Sequence, residues 1–251
     1  MFENFKGQII WSADVTLEEL RRIINGDFPK DDVAIKLDRL FFEKYGREVI
    51  NEVQGLGIAV FADTKFAEIT SKILELAKIY LDECQPWMLN VMANCSDTRI
   101  APGYFNPEPE KDPLDMIYSF SELCKDAGTK PCAVTLLTPK RQNAVKAEYG
   151  KSRFEVVLDY AKLAYDCGCM DVVCSSEESL GVHEISDALG INTPAIRLPT
   201  SGHDDQSNVN TPYAAFKNCA TRLVIGRDLS RGNDFYGNLA QIWANVEKGV
   251  S

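Results

Sequence analysis

The chain has 251 residues, of which 45% are hydrophobic and 25% charged, values that exclude wholesale disorder or a coiled coil. A formal net charge of −10 argues against nucleic acid or an anionic membrane as partner, because no basic surplus exists to neutralise phosphates over a wide surface. The opening MFENFKGQIIW places acid and base before a very short apolar run, unlike a signal peptide, and no stretch has the length of a membrane span, so a cytoplasmic location is expected.

The eight cysteines are scattered, and Cys132 and Cys174 sit inside apolar runs, which reads as reduced, buried thiols rather than a disulfide framework. Cys167 and Cys169 lack metal-finger spacing, and only His183 and His203 are present to assist them. No metal site is expected.

In chain order, the first strand, GQIIWSADV, is followed by a helix, LEELRRIIN, whose start is marked by Thr16 as cap and Glu18 and Glu19 in the first turn. The second strand, VAIKLD, puts Lys36 and Asp38 on one face near its end and leads into a single helix over 40–54. The third, IAVFADTKF, begins as a buried parallel strand and ends in Asp63 and Lys65, which share a face because strand side chains alternate. Glu68 follows three residues later, at the mouth of the helix TSKILELAKIYLDEC.

The fourth strand, WMLNVMA, precedes a long aperiodic connection over 95–112 and a helix over 115–128. Strand five, CAVTLL, runs to Thr138 and a basic, polar loop over 140–152, then a helix over 154–168. Strand six, MDVVCSS, leads to a helix over 177–190. Strand seven, TPAIRL, is followed by a polar loop over 199–210 that holds His203 and Gln206, and by the helix PYAAFKNC. Strand eight, RLVIG, turns through Arg227 toward a last helix over 236–249. Eight strands alternating with helices, without a visible linker, predict one (β/α)₈ barrel, a TIM barrel, as a single domain spanning 1–251. No glycine-rich fingerprint follows the first strand, which argues against a doubly wound dinucleotide-binding sheet.

In such a barrel, chemistry sits at the C-terminal ends of the strands. Those ends carry Asp14, Lys36, Asp38, Asp63, Lys65, Glu68, Asn90, Thr138 and Arg227, with Gln206 in the seventh loop. Lysines among carboxylates hold one another's charge states, and a cationic lysine can protonate a carbanion. A carboxylate fixed beside a substrate's own carboxylate is relieved when carbon dioxide leaves. Gly226 and Arg227 stand where barrels often bind phosphate.

These residues carry a resemblance. IIWSADV, AIKLDRLFFEKYG, FADTKFAEI, VTLLT, MDVVCSSEE, TPAIRLP, DDQSNVNTP and RLVIGRDLSRGND, at successive strand ends over nearly the whole chain, resemble the orotidine 5'-phosphate decarboxylases. The resemblance implies decarboxylation of orotidine 5'-monophosphate to UMP in pyrimidine biosynthesis, through a carbanion at C6, with neither cofactor nor metal. It makes Lys65 the proton donor and Asp63 the carboxylate beside the departing group. Lys36 and Asp14 would hold the ribose hydroxyls, Thr138 would contact the base, and Gln206, Gly226 and Arg227 would grip the phosphate. It also implies a homodimer with shared active sites, the acid at position 68 reaching across to the partner.

The family's pattern at strand three is Asp-x-Lys-x-x-Asp, whereas this chain has Glu68, one methylene longer. Thr70, Ser71 and Lys72 replace the usual proline, asparagine and threonine, Met92 stands where a strand-four histidine is frequent, and the connection over 95–112 has no counterpart in the pattern. Two alternatives accompany this reading. One is a magnesium enzyme resembling 3-keto-gulonate 6-phosphate decarboxylase or hexulose 6-phosphate synthase, against which Lys36 stands where those enzymes hold the ion with an acid. The other is a barrel that binds a nucleotide or sugar phosphate without turnover. Against that, an interior cluster of charges costs folding free energy and has little use in a mere binder.

Overall fold

The computed structural model describes residues 7–95, 116–198 and 210–248. Among them, eight strands pair in parallel, in chain order, and close into a barrel, the eighth returning to the first. They are β1 (Ile9–Ser12), β2 (Val33–Asp38), β3 (Val60–Phe66), β4 (Met88–Met92), β5 (Lys130–Val134), β6 (Asp171–Val173), β7 (Gly190–Thr193) and β8 (Arg222–Ile225). The helices between them are α1 (Leu17–Ile24), α2 (Arg39–Tyr45), α3 (Val49–Gly55), α4 (Thr70–Glu83), α5 (Met116–Asp126), α6 (Gln142–Tyr149), α7 (Arg153–Asp166), α8 (Ser179–His183), α9 (Pro212–Lys217), α10 (Arg227–Ser230) and α11 (Phe235–Lys248). No helix among the described residues is long and apolar enough to cross a membrane.

Strand alternation divides the buried residues into two sets. Ile9, Trp11, Val33, Ile35, Val60, Leu89 and Ile191 face the helices and join one large apolar cluster. Ile10, Ala34, Ala59, Phe61, Cys132 and Val224 belong to a second, smaller cluster inside the barrel. The inward parity, continued two residues at a time toward the C-terminal ends, runs from Ile10 to Ser12 and Asp14, from Ala34 to Lys36, from Phe61 to Asp63 and Lys65, and from Val224 to Gly226. Ser12, Asp14, Lys36, Phe61, Asp63, Lys65, Val224 and Gly226 all line one cavity at that end. The positions that fill the barrel floor therefore become, a step further on, the functional positions.

The expected cap of α1 forms, Thr16 Oγ1 accepting from the Glu19 N–H at 3.2 Å. All eight cysteines of the sequence fall among the described residues as free thiols, six of them buried. Three expectations are corrected. Strand seven, expected over 193–198, lies at Gly190–Thr193. Pro194 has no N–H for the ladder and Ala195 has a φ of +64°, so extended pairing stops there. The single helix expected over 40–54 divides into α2 and α3 at Gly46, whose φ of +80° leaves the helical region. The loop expected over 140–152 contains α6, in which Val145 alone is buried, so there was no apolar stripe to read.

Candidate active site

The cavity at the C-terminal mouth of the barrel has a volume of about 240 Å³. Of the residues expected there, Asp14, Lys36, Asp63, Lys65, Thr138, Gly226 and Arg227 line it. Glu68 is exposed on the connection after β3 and is not among the lining residues. Gln206, like His203 and nearly all of the 95–112 connection, lies outside the described residues. Asp38, on the same strand as Lys36, instead caps α2, accepting from the Phe41 N–H at 2.9 Å.

At the centre is a chain of three charges. Lys36 Nζ donates to Asp63 Oδ2 and Lys65 Nζ to Asp63 Oδ1, each at 2.6 Å. Burial alone would push the Asp63 carboxyl up, but the charges and hydrogen bonds of Lys36 and Lys65 outweigh it and hold the group well below the usual carboxylate range. Burial likewise opposes the Lys36 charge, and Asp63, with Asp14 and Asp38 behind it, raises that ammonium above its ordinary value. The Lys65 side chain is 39% exposed, against 12% for Lys36 and 6% for Asp63, so of the two lysines Lys65 is the one more open to an incoming molecule.

Lys65 owes its placement to an irregularity in β3. The register with β4 shifts between Ala62 and Phe66, and Lys65 has a φ of +45°, rare for a residue with a side chain and confined to places where surrounding contacts impose it. Across the mouth, a Cβ on Gly226 would stand 3.1 Å from Asp14 Oδ2, so the bare glycine lets the β8 backbone approach that acid. Thr138 follows β5 beside apolar walls from Phe61, Leu136, Val173 and Pro194.

Two lining residues, Ser12 and Arg197, were missed in the sequence. Arg197 is 6% exposed and lies 3.9 Å from Asp228. Asp228 also accepts from the Leu198 N–H at 2.7 Å, joining the β7 connection to α10. The signal for Arg197 was a lone charge inside TPAIRLP, hidden once that run had been taken as strand interior. The charged lining residues are four bases (Lys36, Lys65, Arg197, Arg227) and two acids (Asp14, Asp63). A local positive excess of two thus sits in a protein with a net charge of −10, which suits a small anionic ligand.

Residues 7–237 match the family described as "Orotidine 5'-phosphate decarboxylase / HUMPS family". The chain belongs to that family. Curated relatives named orotidine 5'-phosphate decarboxylase include that of Chromobacterium violaceum, 32% identical over 81% of this chain and 76% of the relative, and that of Nitrosomonas europaea, 29% identical over 82% of each. Among solved structures, orotidine 5'-phosphate decarboxylase from Lactobacillus acidophilus superposes with a TM-score of 0.74 at 24% identity, over 96% of this chain and 98% of that one. The closed eight-stranded barrel thus has a solved counterpart over nearly its whole length.

Proposed function

We propose that this protein decarboxylates orotidine 5'-monophosphate to UMP, in pyrimidine nucleotide synthesis, without metal or cofactor. The observation that carries the reading is the Lys36–Asp63–Lys65 chain, a carboxylate kept ionised between two ammonium groups at the floor of a cavity with a positive excess.

In this mechanism the Asp63 carboxylate stands beside the substrate carboxylate at C6 and disfavours that charge in the ground state. The bond from C6 to the carboxyl carbon breaks, carbon dioxide departs, and the electron pair stays on C6. Lys65, the more exposed of the two lysines, delivers a proton from Nζ to that carbon. Lys36 and Asp14 hold the ribose hydroxyls, and Thr138 meets the base against the apolar wall. Arg227, with the backbone at Gly226 and with Gln206, binds the phosphate.

The proposed enzyme is a cytoplasmic homodimer in which Glu68 completes the partner's site. Supporting this, Glu68 is exposed and outside the lining of its own cavity, and Ile69, 54% exposed, and Leu40, 60% exposed, are apolar side chains after the neighbouring strands β3 and β2 that a second copy would cover. A magnesium-dependent branch is disfavoured by Lys36, whose ammonium, paired with Asp63 at 2.6 Å, would repel a divalent cation. The test is the loss of orotidine 5'-monophosphate absorbance with purified protein in excess EDTA. Turnover is expected, and activity appearing only with added magnesium contradicts the reading.

A further inference from the structure

Strands β3 and β4 run in step through Ala62 opposite Leu89, and again at Phe66 opposite Val91. Four steps along β3 therefore face two along β4, and the slack falls on Asp63, Thr64 and Lys65. Facing that slack is Asn90, which is 0% exposed and absent from the cavity lining. Its Nδ2 donates to Asp63 Oδ1 at 2.7 Å, and its Oδ1 accepts from the Lys65 backbone N–H at 2.7 Å. Its main-chain carbonyl accepts from Thr64 Oγ1 at 2.8 Å. All three bulged residues are thus tied to one asparagine.

We propose that Asn90 is a positioning residue of this site, its amide bridging the bulge so that the Asp63 carboxylate and the Lys65 main chain are held in the geometry that aims both side chains into the cavity. The proposal rests on the decarboxylase reading above. A side-chain amide has one donor end and one acceptor end, matching a carboxylate on one side and an N–H on the other. An aspartate would offer acceptors alone and would set a second negative charge against Asp63. An alanine would leave the Lys65 N–H and one lone pair of Asp63 without their buried partner. Lys65 holds its left-handed backbone because the surroundings over-determine it, and the side-chain oxygen Oδ1 of Asn90 is the contact the structure gives its N–H.

The test compares Asn90→Ala and Asn90→Asp with the parent chain by three readouts. These are kcat and KM for orotidine 5'-monophosphate in EDTA, UMP binding by calorimetry, and hydrogen exchange at the Lys65 amide. For Asn90→Ala, kcat falls roughly a hundredfold, the scale of an ångström's misplacement in a reacting group, while UMP affinity holds and Lys65 exchange accelerates. For Asn90→Asp, kcat relative to the parent falls at neutral pH and recovers as acid returns a proton to the facing carboxyl pair, and exchange protection is kept. A kcat for Asn90→Ala close to the parent's, or loss of folded circular dichroism in both variants, would overturn the proposal, the latter making Asn90 a core residue only. Absence of turnover in the parent itself would sink the decarboxylase reading instead. The Lys65 exchange then judges the bridge alone, and unchanged protection in Asn90→Ala refutes it.

Discussion

Asp63 carries the densest set of contacts in the site, receiving Lys36, Lys65 and Asn90 on its two oxygens. Its carboxyl binds a proton less readily in the folded protein than in the unfolded chain, because the two ammonium groups outweigh the burial that opposes its charge. The stability this contributes is fully present above the unfolded carboxyl's pKa, about 4, and is lost as pH falls below it. Urea unfolding between pH 3 and 7 is expected to show the parent losing stability toward acid, with Asp63→Asn losing less over that window. An equal slope for both proteins would mean that Asp63 titrates alike folded and unfolded. The three charges were legible in sequence because a strand's period of two fixes which residues share a face. The partner of the backbone at Lys65 was not, since a bulge and a left-handed residue leave no periodic trace.

At the scale of elements, the connection carrying Thr138 is held from behind. Arg153, at the start of α7, is 5% exposed and pairs with Glu178, 2% exposed, at 2.7 Å. Its guanidinium also donates to the carbonyls of Leu137 at 3.2 Å and Lys140 at 2.8 Å, on either side of Thr138. Glu178 in turn accepts from the Ser175 N–H at 3.0 Å and from its hydroxyl, so β6, α7 and the β5 connection share one buried ion pair. Removing one charge strands the other, at a cost of about 3–5 kcal/mol. Arg153→Met is therefore expected to lower the unfolding free energy by that order and to raise KM. Adding Glu178→Leu restores much of the stability but not KM, as checked by denaturant unfolding and steady-state kinetics. Recovery of both would show that the carbonyl contacts do not hold Thr138.

Strand and helix order was readable in the chain because a parallel barrel imposes buried apolar runs followed by amphipathic ones. The misplacement of β7 has a physical cause. Asn192 and Thr193 are polar yet 0% exposed, with Asn192 donating to Asp171 Oδ1 and to the Val172 carbonyl, both at 3.1 Å. The paired segment is thus held partly by polar contacts, while the apolar signal lies beyond Pro194. The short helix α6 escaped for a related reason, burying too few side chains to set up a stripe.

At the scale of the molecule, one barrel separates two tasks. Its outer apolar layer between strands and helices carries the packing, and its smaller inner cluster ends upward in the polar mouth. An acidic protein concentrates four bases around that mouth, so attraction to an anionic nucleotide is local rather than a property of the whole surface. In the proposed mechanism Lys65, carried on this scaffold, delivers the proton that completes decarboxylation. The most direct test is kcat for orotidine 5'-monophosphate in EDTA, measured for the parent chain and for Lys65→Ala with UMP binding as a control for folding. Turnover by the parent is expected, with a fall of at least roughly a hundredfold in the variant and UMP still bound. A variant that turns substrate over as fast as the parent would contradict this mechanism.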